Sequence, residues 1–318
     1  MVREGEVRAL VVEALGDRPR DGALVRHPED ESLLAFEPPG HDAILNASVR
    51  SPAVPGAQRI AVVTGASSGI GESVARGLSA KGWHCVLVAR REDRLRALSE
   101  ELGAELEVCD VGDRTEVEAT AARVLERHPA VHLLVNNAGM AERDTFVEAD
   151  LDRIERVLYV NYLGSVWCTR ALLTGLRAAA LPRRSLAPAR AHVVNVVSIA
   201  GAIAFARSGP YVASKHAQLA FSRCLRPTLA RSGIAVHTVM PGFVETEGFP
   251  QSALRSRRRS RWLVTDPAHV ADAIVRAVED GGAEVTVPWF PYRFAVAVHG
   301  IAPGFVRKVE RLMPKRRR

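Results

Sequence analysis

The chain has 318 residues, is 47% hydrophobic and 25% charged, and carries 5% aromatic residues. Those proportions exclude wholesale disorder, a collagen-like fibre and a coiled-coil rod. The formal charge of +7 raises nucleic acid or an anionic membrane as partners. The excess is local, however. From residue 251 onward there are 14 basic and 6 acidic side chains, so the first 250 residues sum to −1. The basic residues cluster at 255–261 and 315–318 rather than along one folded face, so no specific nucleic-acid partner is expected.

Residues 1–57 hold six prolines, are acidic overall, and end in a linker-like stretch at 51–56. They read as a poorly ordered N-terminal extension in which only 7–15 has a regular pattern. Acidic residues interrupt the first apolar stretch, so no secretory signal is expected. The longest apolar run, 289–306, is broken by Arg293, His299 and prolines, so no span is expected. A cytoplasmic protein is the reading. Cys85, Cys109, Cys168 and Cys224 are widely spaced within apolar segments. They read as buried free thiols, and no metal site is expected.

From Arg59 the pattern changes. Apolar, β-branched runs at 60–63, 85–89, 106–109, 133–135, 193–197, 235–239 and 284–287 read as strands. Helical patterns lie between them at about 70–81, 92–102, 113–127, 151–177, 210–232 and 267–279. Near-continuous apolar strands alternating with helices predict a seven-stranded parallel sheet covered on both faces, a doubly wound α/β domain over 58–290. A lid-like insert at about 243–265 and a basic tail at 291–318 complete the organisation.

The first strand runs into Thr64-Gly-Ala-Ser-Ser-Gly-Ile-Gly71, and a helix follows. Gly65, Gly69 and Gly71 permit a tight turn whose N–H groups approach a pyrophosphate at the positive end of the helix. This octet resembles that of the classical short-chain dehydrogenase/reductase family. Asn136-Asn-Ala-Gly139 after the fourth strand and Asp110-Val111 after the third are similar to further motifs of that family. The resemblance covers about residues 59–290 and implies a Rossmann-type fold. It implies that Gly65, Ser67, Ser68, Gly69, Ile70, Gly71, Asp110, Val111, Asn137, Ala138 and Gly139 border a dinucleotide.

Which dinucleotide is read from the end of the second strand. An NAD site needs a carboxylate there for the ribose 2′-OH. Arg90 stands in its place with Arg91 behind it, and an Arg pairs with a 2′-phosphate that a carboxylate would repel. NADP(H) is therefore expected in preference to NAD(H).

Tyr211-Val-Ala-Ser-Lys215 puts Tyr211 and Lys215 one helical turn apart on the same face. A free Tyr, with a pKa of about 10, is a poor base near neutrality. The Lys215 ammonium and the positive oxidised nicotinamide are expected to lower it. Ser198, thirteen residues earlier, is expected to donate a hydrogen bond to the substrate oxygen. The resemblance adds Asn161 as the residue holding a relay water and gives Lys215 the nicotinamide ribose. It also implies nicotinamide contacts from Pro241, Gly242, Val244 and Thr246.

Met140, Ile199, Ile203, Phe205, Phe243, Phe249 and Trp262 predict an apolar pocket and a hydrophobic carbonyl or alcohol as substrate. Two other readings stay open: a non-catalytic NADP(H)-binding regulatory protein, and an extended-type nucleotide-sugar epimerase or dehydratase. The 255–261 run reads as a mobile lid, as a site for an anionic substrate such as an acyl thioester, or as a nonspecific nucleic-acid contact. The tail, with an amphipathic helical pattern at 306–313, either packs on the domain or touches a membrane surface. The faces at 151–177 and 210–232 resemble the family's dimer- or tetramer-forming surfaces, so a homo-oligomer is expected.

Overall fold

Alternation of side chains along each apolar run decides the architecture. In the computed structural model, which describes residues 58–180, 190–205, 208–256, 258 and 261–301, the runs form one sheet. Its strands are β1 (Arg59–Thr64), β2 (Trp83–Ala89), β3 (Glu105–Val108), β4 (Leu133–Asn136), β5 (Ala191–Val196), β6 (Ile234–Pro241) and β9 (Glu284–Val287). The order is β3-β2-β1-β4-β5-β6-β9 and every pairing is parallel. The expected doubly wound, seven-stranded sheet is thus the observed one. The expected segments at 7–15 and 306–313 lie outside the described residues.

Ala61 and Val63 of β1 point to one layer, and Ile60 and Val62 to the other. The first layer packs on Val74 and Leu78 of α1 (Gly69–Ser79), Leu95 and Leu98 of α2 (Glu92–Leu102), and Ile274 of α8 (Pro267–Asp280). The second packs on Val117 and Val124 of α3 (Arg114–Arg127) and on helices from 151 to 230. Covered on both faces, the strands need no polar side, which is why they read as unbroken apolar runs. Asp113 caps α3 by accepting from Thr115 N and Glu116 N, and α2 ends at Gly103 with φ +60°.

The single helix expected over 151–177 is corrected. The segment is α4 (Leu151–Leu158), a π turn at Tyr159–Leu163, α5 (Gly164–Ala171) and α6 (Leu173–Ala180). Two close contacts coincide with the π turn. Asn161 turns inward onto Met140 and Ser214, and Gly164 lies so near β3's exit that a Cβ there would sit 2.8 Å from Val111 O. A π turn re-aims one side chain without ending the helix. The next helix, α7, runs from Gly209 to Ala230.

The cysteine expectation is corrected at one position. Cys85, Cys109 and Cys168 are buried, whereas Cys224 is exposed on the outer side of α7. The insert has a feature the pattern did not show: β7 (Phe243–Val244) pairs in parallel with β8 (Val264–Thr265) and ties its two ends together. The helix α9 (Trp289–Ile301) follows β9, and among its residues Tyr292 is buried. No helix among the described residues is long and apolar enough to cross a membrane.

Candidate active site

The glycine turn is fixed by Thr64, the last residue of β1. Its hydroxyl donates to Val135 O and accepts from Asn137 N and Ala138 N, both at 3.0 Å. The expected Asn136–Gly139 turn is therefore pinned against the glycine turn. Asn137 Nδ2 donates to Thr64 O at 2.9 Å. Gly65 needs its missing side chain twice over: φ is +67°, and a Cβ would lie 2.8 Å from Ala138 Cα. At Gly71 a Cβ would collide with Gly65 O. Asn136 works behind the turn, donating to Asn195 Oδ1 on β5 and to Thr169 Oγ1 on α5.

The expected quartet converges at the C-terminal end of β5. Ser198 follows the strand and accepts from Ala200 N at 3.1 Å. Tyr211 and Lys215 come from the first turns of α7, with Lys215 Nζ 5.9 Å from the Tyr211 ring centre. Asn161 is wholly buried; its oxygen accepts from Met140 N and its nitrogen donates to Met140 O and Ser214 Oγ. Lys215 Nζ donates to Val196 O at 3.1 Å and to Gln218 Oε1 at 2.8 Å.

Electrostatics here differ from the expectation of a lowered Tyr. Desolvation pushes the Tyr211 hydroxyl up to about 12, against the opposing hydrogen bond with Ser198. The same desolvation pulls the Lys215 amine down to about 7. The lysine spends its donors on a carbonyl and an amide, so in the protein alone it does not offset the burial of Tyr211. The lowering expected from a positive nicotinamide concerns the cofactor-bound state.

At the end of β2 the two arginines divide. Arg90 is exposed and stands 3.8 Å from Asp110 Oδ2. Asp110 is further held by Arg156 and accepts from Gly112 N. Arg91 turns to the glycine loop instead, donating to Ser67 Oγ at 3.1 Å and Ser68 Oγ at 2.6 Å. Glu247 of the insert joins Arg91 and Arg94. Ser68, at the start of α1, makes no side-chain cap, so the first-turn N–H groups remain as anion donors. This donor set fits the phosphates of a nicotinamide dinucleotide.

The insert crosses above these parts. A Cβ on Gly69 would lie 3.0 Å from Thr246 Cγ2, and Phe249 packs on the Tyr211 ring with centres 5.4 Å apart. Val244 is buried. Pro241-Gly242 closes β6, and Gly242 N donates to Val287 O at 2.8 Å. Gly242 is also where Tyr292 seats: a Cβ there would collide with its ring. The Tyr292 hydroxyl donates to Leu263 O at 2.5 Å. Of the expected pocket residues, Phe249 faces Tyr211, while Trp262 is exposed and stacks on Phe290.

Reading the sequence missed Arg94, Glu247, Gln218 and Tyr292, and treated Arg91 as secondary. Gln218 carried a signal: a polar residue one turn beyond Lys215, in the row that α7 buries. The others meet the site only through the fold.

A parallel doubly wound sheet, an anion-binding glycine turn and a Ser–Tyr–Lys cluster together define a nicotinamide-dependent oxidoreductase site. Residues 59–255 match the family model described as short chain dehydrogenase, and the chain belongs to that family. A putative ketoacyl reductase of Streptomyces coelicolor is 34% identical over 251 residues, covering 71% of this chain and 92% of its own. A solved single-substitution variant of actinorhodin polyketide ketoreductase with NADPH is 30% identical, with TM-score 0.62, over 72% of this chain and 95% of its own. A short-chain dehydrogenase/reductase of Burkholderia phymatum, solved with NAD, shares the fold at 24% identity and TM-score 0.66, over 78% and 95% of the two chains. The protein is an oxidoreductase acting on CH–OH groups with NAD(P), and its substrates are small molecules.

Proposed function

We propose that the chain is an NADP(H)-dependent carbonyl reductase, or the corresponding alcohol dehydrogenase, for a hydrophobic substrate. The observation that carries this reading is the convergence of Ser198, Tyr211 and Lys215, with Lys215 Nζ 3.8 Å from where a Cβ on Gly139 would lie. Gly65, Ser67, Ser68, Gly69, Ile70 and Gly71 would hold the pyrophosphate, Asp110 and Val111 would border the adenine, and Asn137, Ala138 and Gly139 would border the rest of the cofactor. Arg90 and Arg91 favour a 2′-phosphate over a bare ribose. Pro241, Gly242, Val244 and Thr246 would border the nicotinamide, which when bound supplies or accepts the hydride.

The chain's own residues then handle the proton. Ser198 donates a hydrogen bond to the substrate oxygen. Tyr211, protonated at neutral pH because its hydroxyl titrates near 12, gives its proton to that oxygen as charge develops on it. In the oxidative direction the same atom takes the proton back. Lys215 holds the ribose and, as ammonium, stabilises the phenolate left behind. Asn161 fixes Met140 and α7 around them. Phe249, packed on the Tyr211 ring, supplies an apolar wall that suits an aliphatic or aromatic carbonyl.

The test is NADPH oxidation against a panel of aliphatic ketones, aromatic ketones, steroids and acyl thioesters. Turnover confined to small polar sugars would reject the substrate class. We also propose that the chain self-associates through the faces at 151–177 and 210–232; Leu151 is exposed on the first, and Phe146 and Val147 are exposed just before it.

A further inference from the structure

Far from the glycine turn, at the opposite end of the sheet, three side chains from three elements meet. His84 lies near the start of β2, Glu105 opens β3, and His128 ends α3. The strands are parallel and the glycine turn leaves the C-terminal end of β1, so this cluster sits at the sheet's other rim. His84 Nε2 is 2.9 Å and His128 Nε2 2.7 Å from the same carboxylate oxygen, Glu105 Oε1. All three atoms lie within 4.8 Å of one another.

We propose that His84, Glu105 and His128 form a binding site for a divalent transition-metal ion of the zinc class, serving the fold rather than the hydride transfer. Two imidazole nitrogens and one carboxylate oxygen are a zinc donor set, with water free to take the fourth position. Zinc–ligand bonds of about 2.0–2.1 Å put neighbouring tetrahedral ligands about 3.3 Å apart. The two nitrogen–oxygen separations would need to open by only about half an ångström to reach that spacing.

The second carboxylate oxygen shows how the first is kept available. Glu105 Oε2 accepts from Arg127 Nε at 2.8 Å, which orients the carboxylate and leaves Oε1 to the two histidines. Such outer contacts are what set a metal ligand's direction. The Arg127 charge is shared with Glu107, which also binds Arg123. The side chains are 16–30% exposed, which gives an ion a route from solvent. No other group of three such ligands occurs among the described residues.

The experiment uses the full chain without an affinity tag, stripped with EDTA and dialysed at pH 7.5. Calorimetric titration with zinc chloride is expected to show one equivalent bound with micromolar or tighter affinity, and a melting temperature raised by several degrees at saturation. Cobalt(II) in the same site is expected to give the visible absorption of a tetrahedral ion. Glu105→Gln and His128→Gln, with circular dichroism checking the fold, should each weaken zinc binding at least tenfold while leaving NADPH oxidation within twofold of the parent. Three results would overturn the proposal: no saturable binding, equal affinity in both variants, or equal binding of magnesium.

Discussion

Lys215 shows what burial does to a single charge in this protein. Its amine is drawn down to about 7 by desolvation, so the ammonium is present below that pH and lost as the pH rises through it. Tyr211 stays protonated across the same range. The kcat/KM for NADPH-dependent reduction is therefore expected to fall above about pH 7, approaching tenfold per pH unit. A profile flat to about pH 9 would contradict this role. At the cofactor end, Arg91→Ala removes the side chain proposed to pair with the 2′-phosphate. It should weaken NADPH binding about tenfold or more and leave NADH binding unchanged, as read by fluorescence titration. Equal losses for the two would assign Arg91 to the loop alone. Tyr211, Lys215 and Ser198 were legible because helical spacing and strand order place them. Arg91 was less so: its partners Ser67 and Ser68 lie more than twenty residues away, and which of two adjacent arginines turns inward is settled by packing.

Elements carry the next level of control. The π turn at Tyr159–Leu163 delivers Asn161 to Met140 and Ser214 without breaking the helical path. A single π turn carries no residue signature of its own, so 151–177 reads as one continuous helix in sequence. The pairing of β7 with β8 was not legible in the sequence. Two-residue strands such as β7 and β8 leave no periodicity, and Tyr292 reaches Gly242 and Leu263 from a segment read as tail. That ring props the Pro241-Gly242 turn from behind. Tyr292→Ala is expected to cost about 3 kcal/mol of stability by leaving a cavity, measured by urea denaturation. It should also raise KM for both cofactor and substrate by loosening the insert. Unchanged stability and KM would show that α9 merely lies on the surface.

For the molecule as a whole, the basic excess belongs to the sequence after residue 250, while several arginines before it have particular partners. Arg90, Arg91 and Arg94 gather at the proposed phosphate site, and Arg123 and Arg127 neutralise Glu105 and Glu107 beside the proposed metal site. The apolar exposure at Phe146, Val147 and Leu151 predicts self-association. Light scattering after gel filtration should give a mass that is a multiple of 34.5 kDa, and a single-chain mass would refute it. The seven parallel strands were legible, since runs buried on both faces are apolar throughout, but their order was not read from the sequence. The cluster of His84, Glu105 and His128 was invisible in sequence: its members sit more than twenty residues apart and converge only when β2, β3 and α3 pack. The central claim is proton transfer by Tyr211, and the direct measurement is steady-state NADPH oxidation by Tyr211→Phe beside the parent on the best ketone of the panel. Turnover is predicted to drop at least about a hundredfold with NADPH affinity unchanged. Near-parental turnover in that variant would contradict the account.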